Sequence, residues 1–220
     1  MNRDEIRDKV ISVAGELFQK NGIKSITMDD VAAKMGMSKR TLYETFKDKE
    51  TLLRECIMKQ HRFTEEYFKD MINSQMNVME VLLNCFQRSM ENIRSTNHRF
   101  FEDIKKYPDL SELLHKAREL ESDEAMAYFR RGVEQGLFRD DLNFVIMNTL
   151  LHEQINILIH SDICHKFSFI EVYEVIMLTY FRGICTENGL KLLDNYIGEY
   201  RKKYDFPPSA EHDAEQEKEE

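Results

Sequence analysis

Four consecutive residues, Ser38-Lys39-Arg40-Thr41, put two hydroxyls and two cations where the surrounding pattern places the first turn of a short helix. Such a tip can hydrogen-bond base edges and neutralise phosphate, provided the helix enters a major groove by its N-terminal end. Lys47 and Lys49 bracket the start of the next helix, whose unpaired N–H groups and positive dipole end also favour phosphate. Tyr43 offers an apolar ring for packing and a hydroxyl for a phosphate oxygen. The competing reading of Lys39 and Arg40 is a plain solvated helix face.

These residues need rigid elements to hold them. Ile6, Val10, Val13/Ala14 and Leu17 recur at helical spacing, with Asn21-Gly22 as a left-handed stop just after Phe18. A second helix opens at Thr27, with Asp30 three residues on in the manner of a capping box. It turns Val31, Ala32 and Met35 inward and ends at Gly36, and small Ala32 and Ala33 suit a close helix crossing. Ser38 caps a third helix carrying Leu42, Tyr43 and Phe46, and Asp48 starts a fourth through Leu52, Leu53 and Ile57 towards Met71. Two short capped helices around a glycine turn describe a helix-turn-helix.

Further apolar-periodic segments follow near residues 77–94, 98–106, 109–135, 141–161, 168–187 and 189–203. With 8 Gly and 3 Pro in 220 residues, a sandwich or barrel lacks its turns. The expected fold is all-α, nine or ten helices, in three parts. Residues 1–47 form a three-helix DNA-binding domain, 48–204 a larger helical effector and dimerisation domain, and 205–220 an acidic disordered tail.

Charge follows the same division. The chain carries −9 overall, yet residues 1–62 hold 13 Lys+Arg against 10 Asp+Glu, which is +3, and the remainder holds 18 against 30, which is −12. Attraction to phosphate depends on the patch within a Debye length of about 8 Å, so the first part can meet DNA while the rest discourages wrapping. The stretch Pro207–Glu220 has six acidic residues, one lysine and no aromatics, too little apolar surface to order itself. Cys56, Cys85, Cys164 and Cys185 form no C-x-x-C pair and the start of the chain is polar, so reduced thiols in a cytoplasmic protein are expected. The apolar stretches are too short and too interrupted to span a bilayer.

Elsewhere the residues allow several roles. Phe169–Cys185 is apolar nearly all round, which fits either a helix central to one subunit or one shared with a twin. With Leu142–Ile159 it would form an isologous four-helix interface, so helices near 142–160 and 168–186 are the expected homodimer contacts. Asn148, His152, Asn156 and His160 make one polar stripe, either facing a ligand or facing solvent. Phe63, Tyr67, Phe86, Met90, Phe101, Met126 and Phe129, with His152 and Asn156, are the candidate lining of a pocket for a small hydrophobic effector, and plain core is the alternative for each. His160, Cys164 and His165 lack a second ligand cluster, so no metal is expected. Phosphate loops, nucleophile elbows and His-Glu-x-x-His motifs are absent from the sequence, which argues against an enzyme and against a cofactor.

The stretch from Thr27 to Leu53, with Val31-Ala32, Gly36-Met37-Ser38, Thr41-Leu42-Tyr43, Phe46 and Lys49-Glu50, resembles the DNA-binding domain of the tetracycline-repressor (TetR) family of transcriptional regulators. The resemblance covers roughly residues 4–55, with weaker echoes in Phe100-Phe101, Lys106-Tyr107-Pro108 and Arg131–Asp141. It implies an all-helical homodimer on a palindromic double-stranded DNA operator, usually a repressor released by a small ligand. It also implies DNA contacts at Thr27, Lys39, Arg40, Thr41, Tyr43 and Lys49. Thr45 departs from the family's bulky or imidazole residue. A helical protein-interaction module with little DNA binding is the other function class considered.

Overall fold

The computed structural model describes residues 2–107, 109–110 and 122–204. Much of the segment expected near 109–135 and the whole 205–220 tail therefore lie outside the described residues. Within them the chain forms ten α-helices and no strand: α1 (Arg3–Asn21), α2 (Met28–Met35), α3 (Lys39–Thr45), α4 (Lys49–Ile72), α5 (Val78–Ser95), α6 (His98–Ile104), α7 (Ser122–Glu134), α8 (Phe144–His160), α9 (Phe169–Ile184) and α10 (Glu187–Tyr204). A single 3₁₀ turn, Asp162–His165, joins α8 to α9.

Side-chain caps start most of these helices. Asn2–Glu5, Thr27–Asp30, Asn77–Glu80 and Ser168–Glu171 are reciprocal boxes, each satisfying two backbone N–H groups that a helix start leaves bare. α1 runs three residues beyond Phe18, and Gly22 has φ 86° and ψ 156°, an extended backbone of positive φ rather than the expected left-handed helical stop. The cause is tertiary: α6 packs against this turn.

Two cores result. The head is built on Val10, Ala14, Phe18, Val31, Ala32, Leu42 and Phe46, and it takes in Leu52 and Leu53 from the first turn of α4. Ala32 is buried as the crossing requires, whereas Ala33 faces solvent. The body is built around α5, whose Phe86 meets Phe181 of α9 at 5.6 Å and Tyr200 of α10 at 5.9 Å between ring centroids. Arg131 of α7 donates to the carbonyls of Ile72 and Met76 at 2.6 and 3.1 Å, satisfying acceptors at and just beyond the end of α4. An isolated antiparallel bridge between Phe138 and Cys185 pins the α7–α8 link to the α9–α10 junction.

None of the four cysteines is in a disulfide. Among the described residues no helix is long and apolar enough to cross a membrane.

Candidate nucleic-acid interface

The α2–α3 turn is set by backbone chemistry. Gly36 takes φ 64° and ψ 30°, a left-handed conformation that a side chain would strain, and its N–H and that of Met37 return to the carbonyls of Ala33 and Ala32. Two residues later Ser38 Oγ accepts the N–H of Thr41 at 3.1 Å and so starts α3. α3 is anchored by Leu42 and by Phe46 just past its end, both essentially fully buried and four residues apart on one face. Every other side chain of its first turn is thereby turned outward.

Ser38, Lys39, Arg40, Thr41, Tyr43 and Lys47 are all exposed, Tyr43 at 50%. Most of the expected contact residues are thus open to solvent at and around the start of α3. Lys39 is in contact with Asp29 of α2, and that hydrogen bond raises its pKa, so the cation stays charged throughout the neutral range. Ser38 Oγ and Thr41 Oγ1 share a hydrogen bond of 2.8 Å, which leaves one hydroxyl proton of the pair for another acceptor.

Two expected contacts are placed differently. Thr27 is exposed, but its hydroxyl donates to Asp30 Oδ2 at 2.6 Å and accepts the Asp30 N–H at 3.2 Å, so it is committed to the cap. The hydroxyl, and next the Thr27 backbone N–H donating to the same oxygen at 2.8 Å, hold the Asp30 carboxyl below its ordinary range. Lys49 is half-buried, with its ammonium 5.9 Å from the centre of the Phe18 ring. Burial lowers its pKa, against the opposing pull of Asp103 and Asp30. Its charge is directed partly into the head, whereas Lys47 points to solvent.

Among the described residues, the expected pocket residues occupy several different surroundings. Phe86, Met90 and Phe129 are packed in the body core, Phe129 stacked on Phe144 at 4.7 Å. Phe63 and Tyr67 lie near the surface under the guanidinium of Arg88, at 4.4 and 4.0 Å. Phe101 stacks on Phe169 at 3.9 Å. His152 is half-buried, and Asn156 and His160 are exposed. Met126 lines an open cleft of about 590 Å³ with Arg130, Asp140, Asp141, Leu142 and Phe144. The separation has a simple cause: aromatic and methionine side chains at helical spacing fill a packed interior before they line a void. Among the described residues no group of three or more His, Cys, Asp or Glu could hold a metal.

Sequence reasoning missed Arg7 and Asp103. Arg7 lies 4.9 Å from the Phe46 ring centre and 2.8 Å from a Glu55 oxygen, bracing α1 against α4 behind the tip. Neither contact leaves a periodic trace in the sequence.

This arrangement has known counterparts. Residues 10–56 match the model of the bacterial regulatory proteins of the tetR family. The likeness to that family is thus carried by the N-terminal head. The relatives matched are named HTH-type transcriptional repressors or regulators. The transcriptional repressor KstR2 of Mycolicibacterium smegmatis is 25% identical over 142 residues, which cover 62% of this chain and 69% of that protein. A transcriptional regulator of Staphylococcus aureus is 27% identical over 123 residues, 47% of this chain and 66% of the relative. The chain thus spans about two thirds of the length of these relatives. A transcriptional regulator from Saccharomonospora viridis, solved in complex with choline, shares the fold with a TM-score of 0.61 at 17% identity, over 84% of this chain and 100% of that one.

Proposed function

We propose that this protein is a tetR-family repressor that binds a palindromic operator as a homodimer and is released by a small molecule. The observation that carries the DNA part is the exposed tip of α3, where Ser38, Lys39, Arg40 and Thr41 are in solvent, as are Tyr43 and Lys47, while Leu42 and Phe46 hold the helix from behind. Arg40 reads a base edge and Lys39 and Lys47 meet phosphates. Thr27 and Lys49 contribute less directly, since one serves its cap and the other is drawn towards the head interior.

The dimer part is supported by α8. Leu158 is its one fully buried large side chain, while Val145, Ile146, Leu150 and Ile157 stand in solvent, Ile157 at 59%. Val175 on the neighbouring α9 is 64% exposed. An apolar face of this kind on two adjacent helices suits a second copy of the chain. Two copies give two tips, as helix-turn-helix dimers require for half-sites about 34–36 Å apart.

The effector part is supported by the Met126 cleft, whose apolar walls and flanking Arg130, Asp140 and Asp141 can orient a small ligand with a polar end. The solved neighbour from Saccharomonospora viridis binds choline, which gives a precedent for a small ligand on this fold.

Titrating the purified full chain with DNA from upstream of its own coding sequence, at moderate salt and with unrelated competitor DNA, tests the proposal. Selective binding that Arg40→Ala removes is expected. Equal binding to both DNAs contradicts it.

A further inference from the structure

α4 runs unbroken from the head into the body, and alone it would be a rod about which the head could turn. A second attachment lies off that axis, at α6 and the Asn97 cap before it. The Asn97 N–H donates to the Gln19 carbonyl at 2.8 Å, and its Nδ2 donates to the Lys20 carbonyl at 3.1 Å. At the other end of α6, Asp103 Oδ2 accepts the backbone N–H of Lys24 at 2.7 Å. Between these ties a Cβ on Gly22 would sit 2.8 Å from Arg99 Cβ, so the backbones approach as closely as a glycine allows.

Asp103 is the anomalous member. It is 7% exposed, and a carboxylate is costly to bury unless it has strong partners. Lys106 Nζ, at 3.3 Å, reaches only the other oxygen from the solvent side. The inward oxygen is spent on the head's backbone. Phe100 and Ile104 also press on the head core, but apolar contact is non-directional and tolerates sliding. A charged acceptor on a backbone N–H fixes distance and angle together.

We propose that Asp103 is a positioning residue that locks the angle of the head on the body and so sets the half-site spacing that the dimer accepts. The inference rests on the DNA-binding reading above.

The experiment measures affinity of the full chain for duplexes carrying two copies of its half-site at a series of separations. Each added base pair turns the second half-site by about 35°, so a rigid pair of heads loses affinity steeply, about tenfold or more for a shift of about two base pairs. Asp103→Ala should flatten this profile to about threefold over the same shift, while Asp103→Asn, which keeps an oxygen for the Lys24 N–H, should retain the steep one. Simple destabilisation would lower affinity by one factor at every spacing and leave the shape intact. An Asp103→Ala profile parallel to wild type therefore overturns the inference. Should Asp103→Ala not fold, Asn97→Ala takes its place, and an unchanged profile there overturns it equally. Wild type that binds none of the duplexes refutes the DNA-binding reading itself, an outcome distinct from a wild type that binds with no spacing dependence, which refutes only the lock.

Discussion

Arg40 Nε donates to Glu44 Oε1 at 2.9 Å along the open side of α3. Both side chains are mostly in water, and an exposed pair of this kind is cheaply exchanged for another acceptor. The guanidinium is therefore held in place yet available, a suitable starting condition for bidentate recognition of a base.

Arg40→Ala should relax sequence preference, reducing discrimination at one base position by about ten- to a hundredfold. Lys47→Ala should weaken all sequences alike and make the salt dependence shallower by about 0.9 in slope. Competition binding at several salt concentrations separates the two. Identical behaviour of both variants would remove the base-versus-phosphate assignment. Lys47 serves here better than Lys49, whose half-buried ammonium also supports the head.

The apolar face of α8 leads to a second expectation. Leu150→Glu places a charge on a self-complementary face, where each copy would meet the other's carboxylate across the two-fold axis. Sedimentation should show a dimer for wild type and a monomer for the variant, with operator affinity lost in parallel. A variant that stays dimeric would move the interface elsewhere.

Glu174 gives a pH-dependent expectation. Burial raises its pKa above the ordinary 4.5, outweighing Arg201, whose Nη2 is 3.9 Å away, and Arg94. Below the unfolded value the carboxyl is neutral in both states and costs nothing. As pH rises through the higher folded value, the buried group must ionise and stability falls. Glu174→Gln should match wild type in thermal melts near pH 4 and melt higher at pH 7 (about these values, from the unperturbed Glu range). A variant that melts lower at neutral pH would show that the contacts to Arg201 and Arg94 outweigh burial.

What could be read from the sequence was local. The Thr27–Asp30 box, the Gly36 turn and the Ser38 cap each depend on residues within three or four positions, so residue type and spacing sufficed to place α2, α3 and the exposed tip. The extent of the head core was not legible: it takes in Leu52 and Leu53, beyond the expected boundary at residue 47. Nor were contacts between distant segments. Gly22 takes its extended backbone where Arg99 packs against it, and Asp103 reaches Lys24 across 79 residues. The pocket set was not legible for a related reason: Phe86, Met90 and Phe129 have the same spacing whether helices close tightly over them or part around a ligand. Only the packing of partner helices decides between those states.

The central claim is that two copies of the α3 tip read one duplex. Selection of bound sequences from a random double-stranded DNA pool by the full-length protein tests it most directly. The account predicts enrichment of an inverted repeat whose half-site centres lie about one helical turn, or a whole multiple of it, apart, matching the spacing of helix-turn-helix pairs. A pool that stays random after repeated rounds, or that yields only a lone unrepeated site, would contradict it.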